Sequence, residues 1–230
     1  MAQTWHDLLF AHWPVPTAVL RPYVPAALEL DTFESQAWLG VVPFRMSGVR
    51  PRFLPPVPGL SAFPELNLRT YVTHGEKPGV WFFSLDAANR VAVRVARGAF
   101  HLPYFDARMT CTARGETVEY HSERTHRGAP PAVLHGRYGP TGPVELARPG
   151  TLDAWLTERY CLYAARERQL WRGEIHHAPW PLQPAEAELD ECSMTRLIGS
   201  ELPATDPLLH FARRIDVVVW RPYRVDGTRS

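Results

Sequence analysis

The feature that most restricts this chain is a series of short segments in which apolar and polar residues alternate, separated by turns too tight for helical crossovers. Segments 36–49, 63–73, 80–85, 107–113, 117–123, 133–138, 160–166, 171–177, 185–189 and 209–220 read as strands, because a period of two sends successive side chains to opposite faces. Gly75-Glu76-Lys77-Pro78-Gly79, Arg114-Gly115-Glu116 and Glu167-Arg168-Gln169 read as hairpin connections, and strands joined so closely run antiparallel. Many hairpins with few helices predict an α+β fold that is predominantly antiparallel β, a large sheet curled or closed, with helices packed on it. A closed sheet of this size can hold a ligand cavity at its mouth.

Helical periodicity marks two segments. Asp86 is placed to cap a helix over 87–97, with Gly98 just past its end. Ala88, Val91, Ala92, Val95 and Ala96 then form one apolar stripe. Thr151 is placed to cap a second helix over 152–158 that buries Leu152, Trp155 and Leu156. Short helices are also expected at Trp5 to Phe10 and Thr17 to Tyr23. Loops at 50–59 and 127–131 are Pro-rich but too short for linkers. The chain therefore reads as one β-rich domain over 1–225, followed by a frayed tail at 226–230.

Net charge is +1, which provides no overall attraction to nucleic acid or to an anionic membrane. No apolar run is long enough to span a bilayer, and the N-terminus has no signal-peptide pattern. Cys111, Cys161 and Cys192 are odd in number and far apart, which suits a reducing cytoplasm. Of the 25 basic residues only Lys77 is lysine. Arginine stays protonated and is no amine nucleophile, so imine chemistry is confined to Lys77 or the N-terminus.

Three segments carry chemistry-bearing side chains. On the strand from Phe63, Glu65, Asn67, Arg69 and Tyr71 share one face, and Leu66, Leu68, Thr70 and Val72 the other. Such a stripe is either a solvent face over an apolar core or the polar lining of a cavity, where carboxylate and guanidinium orient a small ligand. In Trp171 to Pro181, His176 and His177 point to opposite faces of a strand, so one metal cannot take both. His177 shares the inward face of Ile175 and is either a satisfied core residue or an acid–base group titrating near neutrality. His101 and Tyr104 lie in a third segment, His101-Leu102-Pro103-Tyr104-Phe105, between helix and strand. No metal spacing, phosphate loop or nucleophile elbow is found.

Taken together, Leu8-Leu9-Phe10-Ala11-His12-Trp13-Pro14, Ala37-Trp38-Leu39-Gly40-Val41-Val42-Pro43-Phe44, the strand Pro64 to Val72, Trp81-Phe82-Phe83-Ser84-Leu85-Asp86, Leu102-Pro103-Tyr104, Leu156-Thr157-Glu158-Arg159-Tyr160 and Ile175 to Gln183 resemble the YqjF-like family of uncharacterised bacterial proteins. More distantly the chain is similar to the acetoacetate decarboxylase-like superfamily. That resemblance implies a cone-like β-barrel around a cavity. It also implies that Glu65 is a cavity carboxylate and that Tyr104 stands where the decarboxylases carry their Schiff-base lysine. Tyr104 should then point into the cavity and find a hydrogen-bond partner, for which Glu65 is the first choice.

The expected function is binding of a small oxygenated organic ligand in the cone, without a Schiff-base lysine and without a cofactor or metal. Glu65, Asn67, Arg69, Tyr104, His101 and His177 are the candidate ligand-binding residues. A lysine-independent acid–base enzyme acting on small carbonyl or carboxylate compounds is the alternative. A structural or partner-binding domain with a filled interior is the third reading. The small molecule is the expected partner, nucleic acid and membrane are not, and homo-oligomerisation stays open.

Overall fold

A computed structural model describes residues 1–167 and 169–225, so the proposed tail at 226–230 lies outside the described residues. The strands are β1 (Ala2–Val15), β2 (Glu29–Leu30), β3 (Ala37–Arg50), β4 (Phe63–His74), β5 (Lys77–Ala87), β6 (Tyr104–Arg114), β7 (Thr117–Arg124), β8 (Val133–Pro140), β9 (Glu145–Leu146), β10 (Cys161–Arg166), β11 (Gln169–His177), β12 (Pro181–Cys192), β13 (Leu208–Val219) and β14 (Tyr223–Val225). Helices α1 (Thr17–Leu20), α2 (Arg90–Phe100) and α3 (Leu152–Thr157) interrupt them.

Five strands, in the order β5-β4-β3-β1-β13, form a continuous antiparallel wall. The outer edge of β5 forks. Val80 and Trp81 pair with β10, whereas Leu85 to Ala87 pair with β6. The outer edge of β13 forks too, with His210 and Phe211 on β12 and Val217 to Val219 on β11. One ring therefore closes through β10 and β11, and a second through β6, β7, β8 and β12. The pairings of β5 with β6 and β10 are parallel, so the sheet is mixed at the fork.

The shared wall explains why β1 was expected to contain a helix at Trp5 to Phe10. Leu8 and Phe10 pack in the core of the β10–β11 ring, while Leu9, Ala11 and Trp13 pack in the core of the other. A strand buried on both faces loses its alternation and reads as a continuous apolar run. Asp7 breaks the register between β1 and β3. It sits at φ 50° and is held by Arg45 at 2.8 Å and Arg213 at 3.1 Å.

Two further expectations shift. β5 runs on through Ala87, and Asp86 is a fully buried strand residue paired with Arg124, so it caps nothing. Asn89 caps α2 instead, its side chain accepting from the amides of Val91 and Ala92 at 3.0 Å each. The helix then ends at His101 in the left-handed region, with Gly98 inside it. Lys77 also leaves its expected turn. The turn needs only Gly75 and Glu76, and Lys77 opens β5 opposite His74, its amine 3.5 Å from Glu174. The other expected helices hold. Thr151 caps α3, accepting from the amide of Ala154, and α1 with the turn at Arg21–Tyr23 covers 17–23.

Close approach at the fork requires Gly79. A Cβ there would stand 2.7 Å from Cys161 Sγ and 2.9 Å from the Cys161 carbonyl. Among the described residues, no helix is long and apolar enough to cross a membrane.

Candidate functional site

The β10–β11 ring is not filled. Its centre is a largely enclosed cavity with about 80 Å³ open to the centres of water-sized molecules. Strand β4 lines it with Glu65, Asn67 and Arg69, whose spacing of two keeps all three on this side of the wall, while Leu66 and Leu68 enter the core of the other ring. Tyr104 reaches it from the start of β6, and Ile175 and His177 from the end of β11. The stripe on β4 is thus an interior lining, since the second ring covers the opposite face.

Tyr104 donates a 2.8 Å hydrogen bond to Glu65 Oε2. Burial pushes the Glu65 carboxyl up to about 8; the Tyr104 hydrogen bond opposes this and the charge of nearby Asp86 adds to it. Glu65 is therefore predominantly a neutral acid at pH 7. Burial and the Glu65 carboxyl drive the Tyr104 phenol well above its ordinary value, so it acts as a hydrogen-bond donor. From behind, the hydroxyl of Tyr120 on β7 donates to the Glu65 main-chain carbonyl at 2.7 Å and fixes the backbone at this point.

Glu65 and Arg69 face the same space, yet no ion pair joins them among the described residues. Arg69 Nη2 donates to the Tyr71 hydroxyl at 3.3 Å, and its guanidinium lies 5.1 Å from the Phe10 ring. The Tyr71 hydroxyl in turn meets His12 Nε2 at 2.6 Å, and burial holds His12 well below its usual range, hence neutral. Arg69 is thus a buried cation, 8% exposed, with no carboxylate partner among the described residues.

His177 donates through Nδ1 to the Ala178 carbonyl, 2.7 Å away, and its ring stacks on Tyr160 with centroids 4.7 Å apart. Glu158 sets this corner by accepting from the Trp180 amide at 2.9 Å and from the Tyr160 hydroxyl. His101 does not reach the cavity. As the left-handed cap of α2 it turns outward into an open surface groove, its ring 4.7 Å from that of Trp171. Lys77 does not line the cavity either.

Residues 2–216 match the DUF2071 family, described as an uncharacterized conserved protein. The chain belongs to that family. It is 50% identical over 220 residues to the uncharacterized protein YqjF of Bacillus subtilis (strain 168), covering 96% of this chain and 90% of its relative. Among solved structures, an acetoacetate decarboxylase-like enzyme from Sphingomonas wittichii superposes with a TM-score of 0.65 at 14% identity, covering 98% of this chain and 93% of that one. The enduracididine biosynthesis enzyme MppR, with HEPES bound, superposes with a TM-score of 0.69 at 9% identity, covering 99% and 88%. These two likenesses establish that this DUF2071 member has the acetoacetate decarboxylase-like fold.

The structure adds lining residues that sequence reasoning did not single out: Gln3, Trp5, Arg159 and Trp180. Arg159 follows α3 and pairs with Asp31 at 2.5 Å. Its segment was among those carrying the family resemblance, and that was the one signal available for it. A tryptophan packs a core as readily as it lines a cavity, so residue type alone does not mark Trp5 or Trp180. Among the described residues that line the cavity, the unpartnered buried polar atoms are Trp5 Nε1, Trp180 Nε1, Arg69 Nε and Arg159 Nη2, all donors, against the single acceptor Asn67 Oδ1. Among the described residues no cluster of His, Cys, Asp or Glu is arranged to hold a metal ion.

Proposed function

We propose that the cavity binds a small oxygenated organic anion, a carboxylate that also carries a carbonyl or hydroxyl oxygen. The observation that carries this reading is the excess of unpartnered donors around Arg69. Buried polar groups are normally hydrogen-bonded, and buried charges are normally paired. A carboxylate placed between Arg69 Nε and Arg159 Nη2 would satisfy both requirements. Glu65, on the same strand as Arg69, and its partner Tyr104 line the same cavity and would meet the second oxygen. The cavity favours this reading over a filled structural domain. The acetoacetate decarboxylase-like neighbours favour it as well, although here no lysine lines the cavity.

A second reading, a lysine-independent acid–base enzyme, rests on Glu65. A carboxylic acid that loses its proton near pH 8 can donate that proton to a substrate at neutral pH. Calorimetry against a panel of small carboxylates tests binding. The expected result is saturable binding that Arg69→Met weakens at least tenfold while leaving the fold intact by circular dichroism. Equal affinity in Arg69→Met and wild type would reject the assignment. Turnover of a bound carboxylate that is lost in Glu65→Gln would favour the enzyme.

A further inference from the structure

The apolar stripe of α2 is covered only in part: Ala88 and Ala92 pack against the core, but the two valines do not. Val91 is 50% and Val95 55% exposed, although both sit on the face that periodicity assigns to a core. With Ala92 they form one wall of a second space, a groove with about 160 Å³ open to water-sized molecules. Leu60, Val49 and Phe63, flanking the loop between β3 and β4, form the other wall. The groove adjoins the polar cavity. Met1, Gln3, Met46, Ala96, Phe100 and Tyr104 line both. Tyr104 thus borders both the space beside Val91 and Val95 and the one that holds Glu65 and Arg69.

We propose that this groove holds an unbranched alkyl chain, and that the ligand is an amphiphile with an oxygenated anionic head in the cavity and a hydrocarbon tail along α2. The proposal rests on the carboxylate reading of the cavity and extends it to a class of longer-chain acids. Two observations support it. The groove and the cavity share six lining residues, so they lie side by side and one molecule threaded between those side chains would occupy both. Its walls are almost wholly apolar and wet when empty, and a hydrocarbon chain removes that surface from water. Gln3 and Tyr104 line both spaces and so put polar side chains at the boundary where tail would give way to head.

The test is a series of straight-chain saturated carboxylates from four to twelve carbons, each below its micellar concentration, titrated by calorimetry into the intact protein. Binding should tighten about two- to fourfold per added methylene and then level off once the groove is full. Two variants narrow or polarise the groove without touching the head-group residues, Ala92→Trp and the surface change Val95→Glu. Either should flatten the chain-length series while leaving the four-carbon acid at its wild-type affinity. Short acids that bind with no gain from longer chains would overturn the groove and leave the cavity reading standing. A gain that survives both variants would place the chains elsewhere on the protein and equally overturn it. Failure of every acid to bind would reject the cavity reading itself, and the groove with it. If Val95→Glu changes the oligomeric state but not the series, the stripe belongs to an interface with a second copy and the proposal fails.

Discussion

The phenol of Tyr104 donates to Glu65 Oε2 across 2.8 Å, joining the first residue of β6 to the third residue of β4 inside one cavity. The phenol proton is thus satisfied by one oxygen of a buried carboxyl that is predominantly neutral at pH 7.

Tyr104→Phe should fold normally, because the ring volume is nearly unchanged. It should lose about 0.5–1.5 kcal/mol of affinity for a carboxylate whose second oxygen meets the hydroxyl. Since the Tyr104 hydrogen bond holds Glu65 down, the variant should also raise the Glu65 carboxyl further. Carboxyl-region infrared titration reads that shift, and a downward shift would contradict the geometry.

Stability should fall as pH rises through the range set by Glu65. Its carboxyl titrates at 4.5 in the unfolded chain and near 8 in the fold. Below 4.5 both states are protonated and the site costs nothing. Between these values the folded protein holds the extra proton, so stability declines with pH, and above about 8 the loss is complete. The total is of order a few kcal/mol. Glu65→Gln should be flatter across this window and more stable than wild type at pH 8–9. Thermal unfolding at a series of pH values measures both effects, and parallel curves would reject the assignment. Asp86, pushed up to about 6 mainly by burial against the opposing pull of Arg124, adds a smaller decline between 3.8 and 6 that both proteins share.

The Asp86–Arg124 pair is fully buried at 3.0 Å. Asp86→Ala leaves a buried guanidinium without its partner and should destabilise the protein by about 3–5 kcal/mol. Replacing both, with Asp86→Leu and Arg124→Met, should recover much of that loss. Urea denaturation of the two variants decides this. A double variant as unstable as the single one would mean that the pair is held for its shape rather than its charge.

Much of the site was legible because strand periodicity is local. Glu65, Asn67 and Arg69 share a face whatever the rest of the chain does. The Tyr104–Glu65 contact was legible only through resemblance, since nothing within β4 or β6 points to the other strand. His101 stood beside Tyr104 in sequence, but the left-handed turn that ends α2 sends it to the outer surface. Arg159 and Trp180 were not legible as site residues. They come from loops after α3 and β11, and their place in the cavity depends on closure of the ring.

The sequence by itself determined most of the strands, though not β1, together with the common face of the β4 polar residues and the confinement of lysine chemistry to Lys77. Each follows from side-chain identity and backbone alternation over a few residues. Only the tertiary structure decided which face is interior. β4 is covered on both sides, by the filled ring around Leu66 and Leu68 and by the hollow ring around Glu65 and Arg69. It also decided that Glu65 keeps its proton, because desolvation is set by long-range strand pairing that buries the carboxyl, and no local pattern encodes it.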